Sequence, residues 1–337
     1  MRSKDLISLR DPEPAEILEV LDLAAQMKRA PARHARALAG RSLALLFEKP
    51  SLRTRATFEV AMTQLGGHAL YFAPTDLGLG VRESVPDVAR NLERWVDLIV
   101  ARVFEHQKVI DLAAHARVPV INALSDFSHP CQALADLLTL REHLGGLKGR
   151  QLVYVGDGNN VAHSLLLGGA KVGLHVRVVT PEGYEPEARV VEWARAAARK
   201  TGARIETARE PGVGVRGADA VYTDVWASMG QESQAQARRA IFRPYQVNRA
   251  LMEAAGARAL FMHCLPAHRG DEVTDEVADS ARSIIFDQAE NRLHAQKALM
   301  VLLHRAAGAG RDRRRPRPAA AGAPPPGPRQ ARGRRAR

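Results

Sequence analysis

Apolar residues in this chain fall in short continuous blocks, and the segments between the blocks carry apolar positions at helical spacing. Leu43–Phe47 is such a block and reads as a buried strand stopped by Pro50. Phe58, Ala61, Met62 and Leu65 then recur three to four apart, and Gly66-Gly67 closes a helix over 52–65. A short strand near Ala69–Phe72, a helix over Pro86–Trp95 and the strand Leu98–Arg102 follow. A helix over Val109–Ala116, the strand Val118–Ile121 and a long helix over His129–His143 complete the first half. Unbroken apolar strands alternating with helices predict a mainly parallel sheet covered on both faces.

Gly145-Gly146 and Lys148-Gly149 punctuate the chain and place a domain boundary there. The second half opens with the strand Gln151–Val155, the loop Gly156-Asp157-Gly158-Asn159-Asn160, a helix to about Val172 and the strand His175–Val179. That order is a βαβ unit of the doubly wound kind. Ala220–Thr223 and Ala259–Met262 read as further strands, and Ala289 to about Arg305 is again helical. The expected fold class is α/β, with two doubly wound domains, each a mainly parallel sheet flanked by helices, and a C-terminal helix returning to the first. The expected division is 1–145, 146–288, a terminal helix over 289–307 and a disordered Arg/Pro/Ala-rich tail over 308–337.

Composition changes this picture in two places. At 337 residues, 46% hydrophobic, the chain is long enough for two cores. No apolar run approaches a bilayer span, and Met1–Leu6 lacks the apolar stretch of a signal peptide. Only Cys131 and Cys264 are present, so no disulfide framework is indicated and a reducing cytoplasm is expected. The net charge of +12 would suggest a nucleic-acid binder, but residues 311–337 hold ten arginines against Asp312, leaving only +3 for the rest. A tail of that composition cannot bury an apolar face. No specific nucleic-acid partner is therefore expected.

Candidate chemistry gathers at strand ends, where open α/β sheets bind their ligands. Ser51 falls at the N-cap of the helix over 52–65, with Arg53, Thr54 and Arg55 in its first turn. Free backbone N–H groups, the helix dipole, two guanidiniums and two hydroxyls together suit a phosphate. Five further segments lie at strand ends: Arg102, His129-Pro130-Cys131-Gln132, Asn159-Asn160, Asp224 with Ser228-Met229, and His263-Cys264-Leu265-Pro266. Taken singly each has a plain structural reading: Arg102 and Asp224 as caps, His129 as an N-cap, Cys264 as a small buried hydrophobe. Their concurrence at strand ends favours a site. Gly156-Asp157-Gly158 lacks the third glycine of a dinucleotide turn, and the next strand ends Val179-Thr180 without the ribose-binding acid, so NAD is not expected. No Cys/His spacing suggests a metal.

These residues resemble those of the ornithine carbamoyltransferases over about residues 1–305. Ser51-Leu52-Arg53-Thr54-Arg55 matches the family's carbamoyl-phosphate motif S-x-R-T-R, with Leu52 where Thr is common. His129-Pro130-Cys131-Gln132 and Arg102 match further donor-side signatures shared with aspartate carbamoyltransferases. Asp224-Val225-Trp226-Ala227-Ser228-Met229-Gly230 and His263-Cys264-Leu265-Pro266 resemble the ornithine enzymes' acceptor signatures. Asn160 matches the ornithine-binding asparagine, and Arg292 the late arginine that returns to the donor site. One departure stands out: where many members carry a Gln that reaches a neighbouring subunit's phosphate, this chain has Gly78, with Arg82 nearby as a candidate substitute.

The resemblance implies transfer of the carbamoyl group of carbamoyl phosphate to the side-chain amine of L-ornithine, giving L-citrulline and phosphate in arginine metabolism. It implies 1–145 as the carbamoyl-phosphate domain and 146–288 as the ornithine domain. Arg102, His129 and Cys264 are the implied catalytic residues. Ser51, Leu52, Arg53, Thr54, Arg102, His129, Gln132, Cys264, Leu265 and Arg292 would hold carbamoyl phosphate; Asn160, Asp224, Ser228 and Met229 would hold ornithine. It implies no cofactor and no metal, a homotrimer with sites at subunit interfaces, and no membrane partner. The alternative is a carbamoyltransferase for another amine, such as putrescine or N-acetylornithine, which would lack the Asp224/Ser228-Met229 set.

Overall fold

The computed structural model describes residues 1, 3–227 and 234–312. Nine strands form two all-parallel sheets: β1 Ser42–Phe47, β2 His68–Phe72, β3 Leu98–Arg102 and β4 Val120–Leu124 in the first, in the order β2-β1-β3-β4. The second holds β5 Gln151–Val155, β6 His175–Val179, β7 Ile205–Ala208, β8 Ala220–Thr223 and β9 Leu260–His263, in the order β7-β6-β5-β8-β9. The inner strands β1, β3, β5 and β8 are buried almost throughout, as parallel strands covered by helices on both faces must be.

Register brings the carboxyl ends into line. Phe47 pairs with Arg102, and Arg102 with Leu124 across an irregularity after Ala101. In the second sheet Val155 pairs with Thr223, and Thr223 with His263. The loops that follow these ends therefore face one cleft between the two sheets. The helices Pro130–Leu144 and Asn160–Val172 pack on each other across the junction. One apolar cluster runs continuously from Leu45 and Phe58 in the first half to Leu152 and Leu166 in the second. Two smaller clusters cover the outer faces of the sheets.

The C-terminal helix, Ile285–Asp312, starts beside the second sheet and packs on Pro14–Arg29, Leu52–Gln64 and Pro130–Leu144 of the first half. It begins earlier than the expected 289 and carries five residues into the segment 308–337 expected to be disordered; residues 313–337 lie outside the described residues.

Other element ends shift for local reasons. The expected strand Val118–Ile121 starts instead at Val120, after Pro119, which has no N–H to give the ladder. It runs on through Asn122, whose buried side-chain NH2 donates to the Ile7 carbonyl at 2.9 Å. The last strand is Leu260–His263 rather than Ala259–Met262. The helices expected over Pro86–Trp95 and Val109–Ala116 occupy Val85–Leu92, capped by Ser84, and His106–His115. Pro14–Arg29, Ala188–Thr201 and β7 are not among the expected elements, although Ile17, Val20, Leu21 and Ala24 in the first recur at helical spacing. In the first of these the Glu16 carboxylate accepts from the Glu13 N–H at 2.8 Å, a reciprocal start that follows a proline-bounded loop.

Candidate active site

The helix Leu52–Gln64 begins where the sequence places it. Ser51 is its N-cap, extended at φ −161°, and its hydroxyl accepts from the Thr54 N–H at 3.3 Å. The plain capping reading and the phosphate reading thus coexist at one residue. Leu52 is 79% exposed, so its side chain contributes little packing. The second guanidinium of the motif does not join the seat: Arg55 pairs with Glu59 at 2.9 Å and lies over the Tyr71 ring at 3.8 Å. Glu59, four residues further round the helix, and Tyr71 on β2 hold Arg55 on the outer surface. Arg292 takes its place. From the C-terminal helix its Nη2 donates to Thr54 Oγ1 at 2.8 Å, and Ser51 Oγ donates to the same atom at 3.1 Å.

A cavity of about 380 Å³ opens between the sheets, within the range of small-ligand sites. One wall carries Ser51, Leu52, Arg53, Arg102, His129 and Gln132, with Arg292 alongside; the other carries Asn160, Asp224, Cys264 and Leu265. All the expected site residues within the described residues therefore meet here, Thr54 through Arg292. Ser228 and Met229 lie outside the described residues.

The donor wall is positive and under-partnered. Burial, then Arg292 and Arg53, lower the Arg102 guanidinium to about 10. Burial likewise lowers Arg292, and burial followed by Arg292 and Arg102 holds His129 well below its ordinary value, so its ring is neutral. His129 stands at the N-cap of Pro130–Leu144 without a side-chain capping bond. Arg102 Nε, Arg292 Nε, His129 Nδ1 and Gln132 Oε1 are buried with no hydrogen-bond partner. Buried polar atoms are nearly always paired. Two guanidinium donors, a neutral imidazole nitrogen and one amide acceptor left open around one cavity suit an anion joined to a group that both accepts and donates.

The acceptor wall is tightly wired. Asn159 caps the helix Asn160–Val172, its Oδ1 accepting from Val161 and Ala162 N–H and from Tyr154 OH. That turns its Nδ2 onto Asp224 Oδ2 at 2.9 Å. Asp224 Oδ1 accepts from the Val225 N–H at 2.8 Å and from the Cys264 thiol at 3.0 Å. Burial, then Asp224, push the Cys264 thiol well above its ordinary range, so the sulfur keeps its proton. Asn160 spends its Nδ2 on the Ser125 carbonyl at 2.6 Å, tying the two halves and leaving its Oδ1 toward the cavity side. Leu265 adopts φ 60°, the sole non-glycine residue at positive φ among the described residues, before a cis peptide to Pro266. Backbone held in that region marks a site under local constraint.

Several residues that shape the site escape a reading by strand ends. Asn159, rather than its neighbour alone, holds Asp224. Asp136 receives Gln132 Nε2 at 2.8 Å, and its spacing of four residues along one helix is the signal that could have found it. His268 also lines the cavity. Asp224, His263 and Cys264 bring one potential metal-ligand atom each within 4.8 Å of one another, a grouping that sequence spacing does not reveal. Those atoms are already engaged: His263 Nε2 with Glu272 at 3.0 Å, its Nδ1 with the Leu265 N–H at 2.9 Å, and the thiol with Asp224.

Two glycines have packing explanations. A Cβ on Gly158 would stand 2.2 Å from the Pro186 nitrogen, so the glycine of the incomplete dinucleotide turn serves a close backbone approach. Gly78 sits at φ 48°, and a Cβ there would stand 2.7 Å from that of Arg82, within a turn closed by the Arg82 N–H on the Gly78 carbonyl at 2.7 Å. That turn geometry disfavours any side chain at 78, Gln included.

Comparison with known proteins agrees in both halves. Residues 4–142 match the family model for the aspartate/ornithine carbamoyltransferase carbamoyl-P binding domain, and residues 148–303 that for the Asp/Orn binding domain. The chain is 55% identical to the ornithine carbamoyltransferase of Pyrococcus abyssi over 305 residues, covering 90% of this chain and 96% of that protein. It is 54% identical to the anabolic ornithine carbamoyltransferase of Pyrococcus furiosus, covering 90% and 97%. The solved ornithine carbamoyltransferase from Pyrococcus furiosus superposes with a TM-score of 0.86 at 55% identity, covering 88% of this chain and 96% of that one. The enzyme from Thermus thermophilus gives 0.81 at 49%, covering 90% and 99%.

Proposed function

The chain belongs to the aspartate/ornithine carbamoyltransferase family, and from that premise we propose which residues hold each partner in its reaction. The reaction is transfer of the carbamoyl group of carbamoyl phosphate to the side-chain amine of L-ornithine, giving L-citrulline and phosphate. The observation that carries the assignment of roles is the opposition of two walls. Unpaired Arg102, Arg292, His129 and Gln132 atoms face the Asn160–Asp224–Cys264 set across one cavity.

The phosphate sits at the start of the helix Leu52–Gln64, held by Ser51, Arg53 and Thr54 and the backbone of Leu52, with Arg102 and Arg292 adding charge. Arg102, Thr54 and His129 surround the carbamoyl oxygen. They are in place before charge develops, and preorganised donors of this kind typically contribute a few kcal/mol each to stabilising an oxyanion. Neutral His129 serves as a hydrogen-bond donor and not as a cation. Gln132 and the Leu265 carbonyl receive the carbamoyl NH2.

Ornithine binds with its α-ammonium toward Asp224 and the Asn160 carbonyl oxygen, and Ser228 and Met229 complete that end. Its side-chain amine then points toward Cys264 and Leu265. The amine must arrive neutral, and its free pKa lies near that of lysine, about 10.4. A desolvated pocket beside three guanidiniums lowers it. The nitrogen attacks the carbonyl carbon, a C–N bond forms, the C–O bond breaks with its electron pair leaving on phosphate, and the proton the nitrogen sheds is taken up by the departing phosphate. Cys264 orients Asp224 and the amine and forms no covalent bond with the carbamoyl group; its raised thiol pKa supports that role.

Residues 1–145 serve as the donor domain, 146–288 as the acceptor domain, and 289–307 as the helix that brings Arg292 back. The biosynthetic direction is supported by the relative named as anabolic. A homotrimer is supported by apolar side chains left open, Leu52 at the donor seat at 79% exposure and Val81 beside Arg82 at 90%. Arg82, on the turn that Gly78 forces, reaches the neighbouring subunit's phosphate. Both cysteines are free, which suits a reducing cytoplasm. No described helix is long and apolar enough to cross a membrane.

The test offers carbamoyl phosphate with ornithine, putrescine, N-acetylornithine and aspartate in parallel, alongside light scattering of the intact chain. Citrulline formation from ornithine at a rate far above product from the other three is the expected result. Preference for putrescine or N-acetylornithine would contradict the acceptor assignment, and a monomer with full activity would contradict the trimer.

A further inference from the structure

A glutamine amide is nearly symmetric in shape but not in chemistry, since one end accepts and the other donates. Which end of Gln132 faces the cavity therefore decides what the site recognises. The Nε2 of Gln132 donates to Asp136 Oδ1 at 2.8 Å, and its Oε1 is buried in the site without a partner. Asp136 is itself fully buried and receives two more donors: Gln288 Nε2 on the same Oδ1 at 2.7 Å, and Tyr222 OH on Oδ2 at 3.2 Å. Gln288 cannot turn round either, because its Oε1 accepts the His263 N–H at 3.0 Å.

Turning Gln132 over would set its carbonyl oxygen against Asp136 Oδ1, replacing a hydrogen bond with two facing lone pairs. The protonation state of Asp136 does not change this. Burial raises its pKa to about 7. A proton taken up there belongs on Oδ2, where the Tyr222 hydroxyl can rotate to accept it, because two amide N–H groups already converge on Oδ1. The oxygen that faces Gln132 is an acceptor in both states.

We propose that Asp136 is a positioning residue that holds the Gln132 carbonyl oxygen toward the bound donor, so that the site selects a carbamoyl NH2 over a methyl group of the same shape. The proposal rests on the carbamoyl-phosphate reading of this cavity. An open acceptor gains a hydrogen bond from NH2 and loses its hydration against CH3. It would meet the carboxylate oxygen of a carboxylated donor with repulsion. The Ser51–Arg53 phosphate seat is common to all three ligands and cannot make the distinction.

The probes are phosphonoacetamide and its methyl-ketone isostere, 2-oxopropylphosphonate, titrated calorimetrically into the full chain. Wild type should bind the amide about tenfold or more tightly than the ketone, the scale of one buried hydrogen bond. Asp136→Leu should lower that ratio at least about threefold, the Leu265 carbonyl still favouring the amide, while changing affinity for the ketone less than about threefold. Asp136→Asn should keep the ratio, since its Oδ1 can face both glutamines while its NH2 meets the Tyr222 oxygen. Should the leucine variant not fold, Asp136→Ser, too short to reach Gln132, carries the same expectation. An unchanged ratio in the leucine or serine variant overturns the proposal, as does an equal loss for both probes. Failure of wild type to bind phosphonoacetamide would instead overturn the carbamoyl-phosphate reading itself.

Discussion

Arg292 donates to the Thr54 hydroxyl at 2.8 Å although the two are 238 residues apart. One lies on the C-terminal helix and the other in the first turn of the helix that Ser51 caps. This contact brings a third guanidinium beside Arg53 and Arg102 and closes the donor wall, so the site is complete only once the chain's end has packed onto its beginning.

Truncating Arg292 therefore acts on the donor and spares the acceptor. Arg292→Ala removes a charge-assisted donor, worth about 1.5–3 kcal/mol, and should raise KM for carbamoyl phosphate roughly 10- to 100-fold. KM for ornithine should move much less. Steady-state kinetics with each substrate varied in turn checks this, and equal shifts in both constants would contradict it.

Cys264 separates an orienting thiol from a nucleophile. Cys264→Ser keeps a donor to Asp224 and should retain more activity than Cys264→Ala, which leaves one Asp224 oxygen without that partner. Mass spectrometry of the enzyme during turnover should find no carbamoyl adduct on Cys264. Detecting one that forms and decays at the rate of turnover would assign the sulfur a covalent role.

Neutral His129 sets the expected pH behaviour. Burial, then Arg292 and Arg102, lower its pKa well below that of an unfolded histidine, near 6.5. The folded chain binds fewer protons there than the unfolded chain, so stability linked to His129 is fully present above about 6.5 and lost as pH falls below it. His106 and His163, also lowered mainly by burial, act in the same direction. Activity should show no inflection from His129 between about pH 6 and 8; kcat/KM for ornithine should rise through the neutral-to-alkaline range as the amine loses its proton. A flat profile would contradict the deprotonation step.

Asp136 has the opposite linkage. Its pKa is raised to about 7 by burial, against about 3.9 in an unfolded chain. Between those values the folded chain holds a proton the unfolded chain has released, so its contribution is greatest in acid and is lost as pH rises through about 7. The Tm of wild type minus that of Asp136→Asn should fall from about pH 5 to about pH 8. A difference that grows over that interval would reverse the sign.

The elements legible in the chain were those whose cause is local. Leu43–Phe47, Leu98–Arg102 and Gln151–Val155 are strands because each is buried on both faces and so must be apolar throughout. The Ser51 cap follows from a polar residue between a proline and a helical period. Arg102, His129, Asp224 and Cys264 stood out because the fold class puts strand ends at the site. The same local logic failed where a neighbour decides. Arg55 looked like a phosphate ligand until Glu59 and Tyr71 claimed it, and the strand expected to stop at Ile121 continues through Asn122, whose side-chain NH2 donates to the Ile7 carbonyl.

By itself, then, the sequence determined the two parallel sheets, the motifs at their carboxyl ends and the family those motifs belong to. Each depends on residue type and spacing within one segment. The tertiary structure alone decided which atoms are free to meet a ligand. That Gln132 offers its oxygen, Asn160 its oxygen and Cys264 a protonated sulfur depends on Asp136, Ser125 and Asp224, partners supplied by packing. Hydrogen-bond direction and burial are properties of the assembled chain, and no single segment carries them.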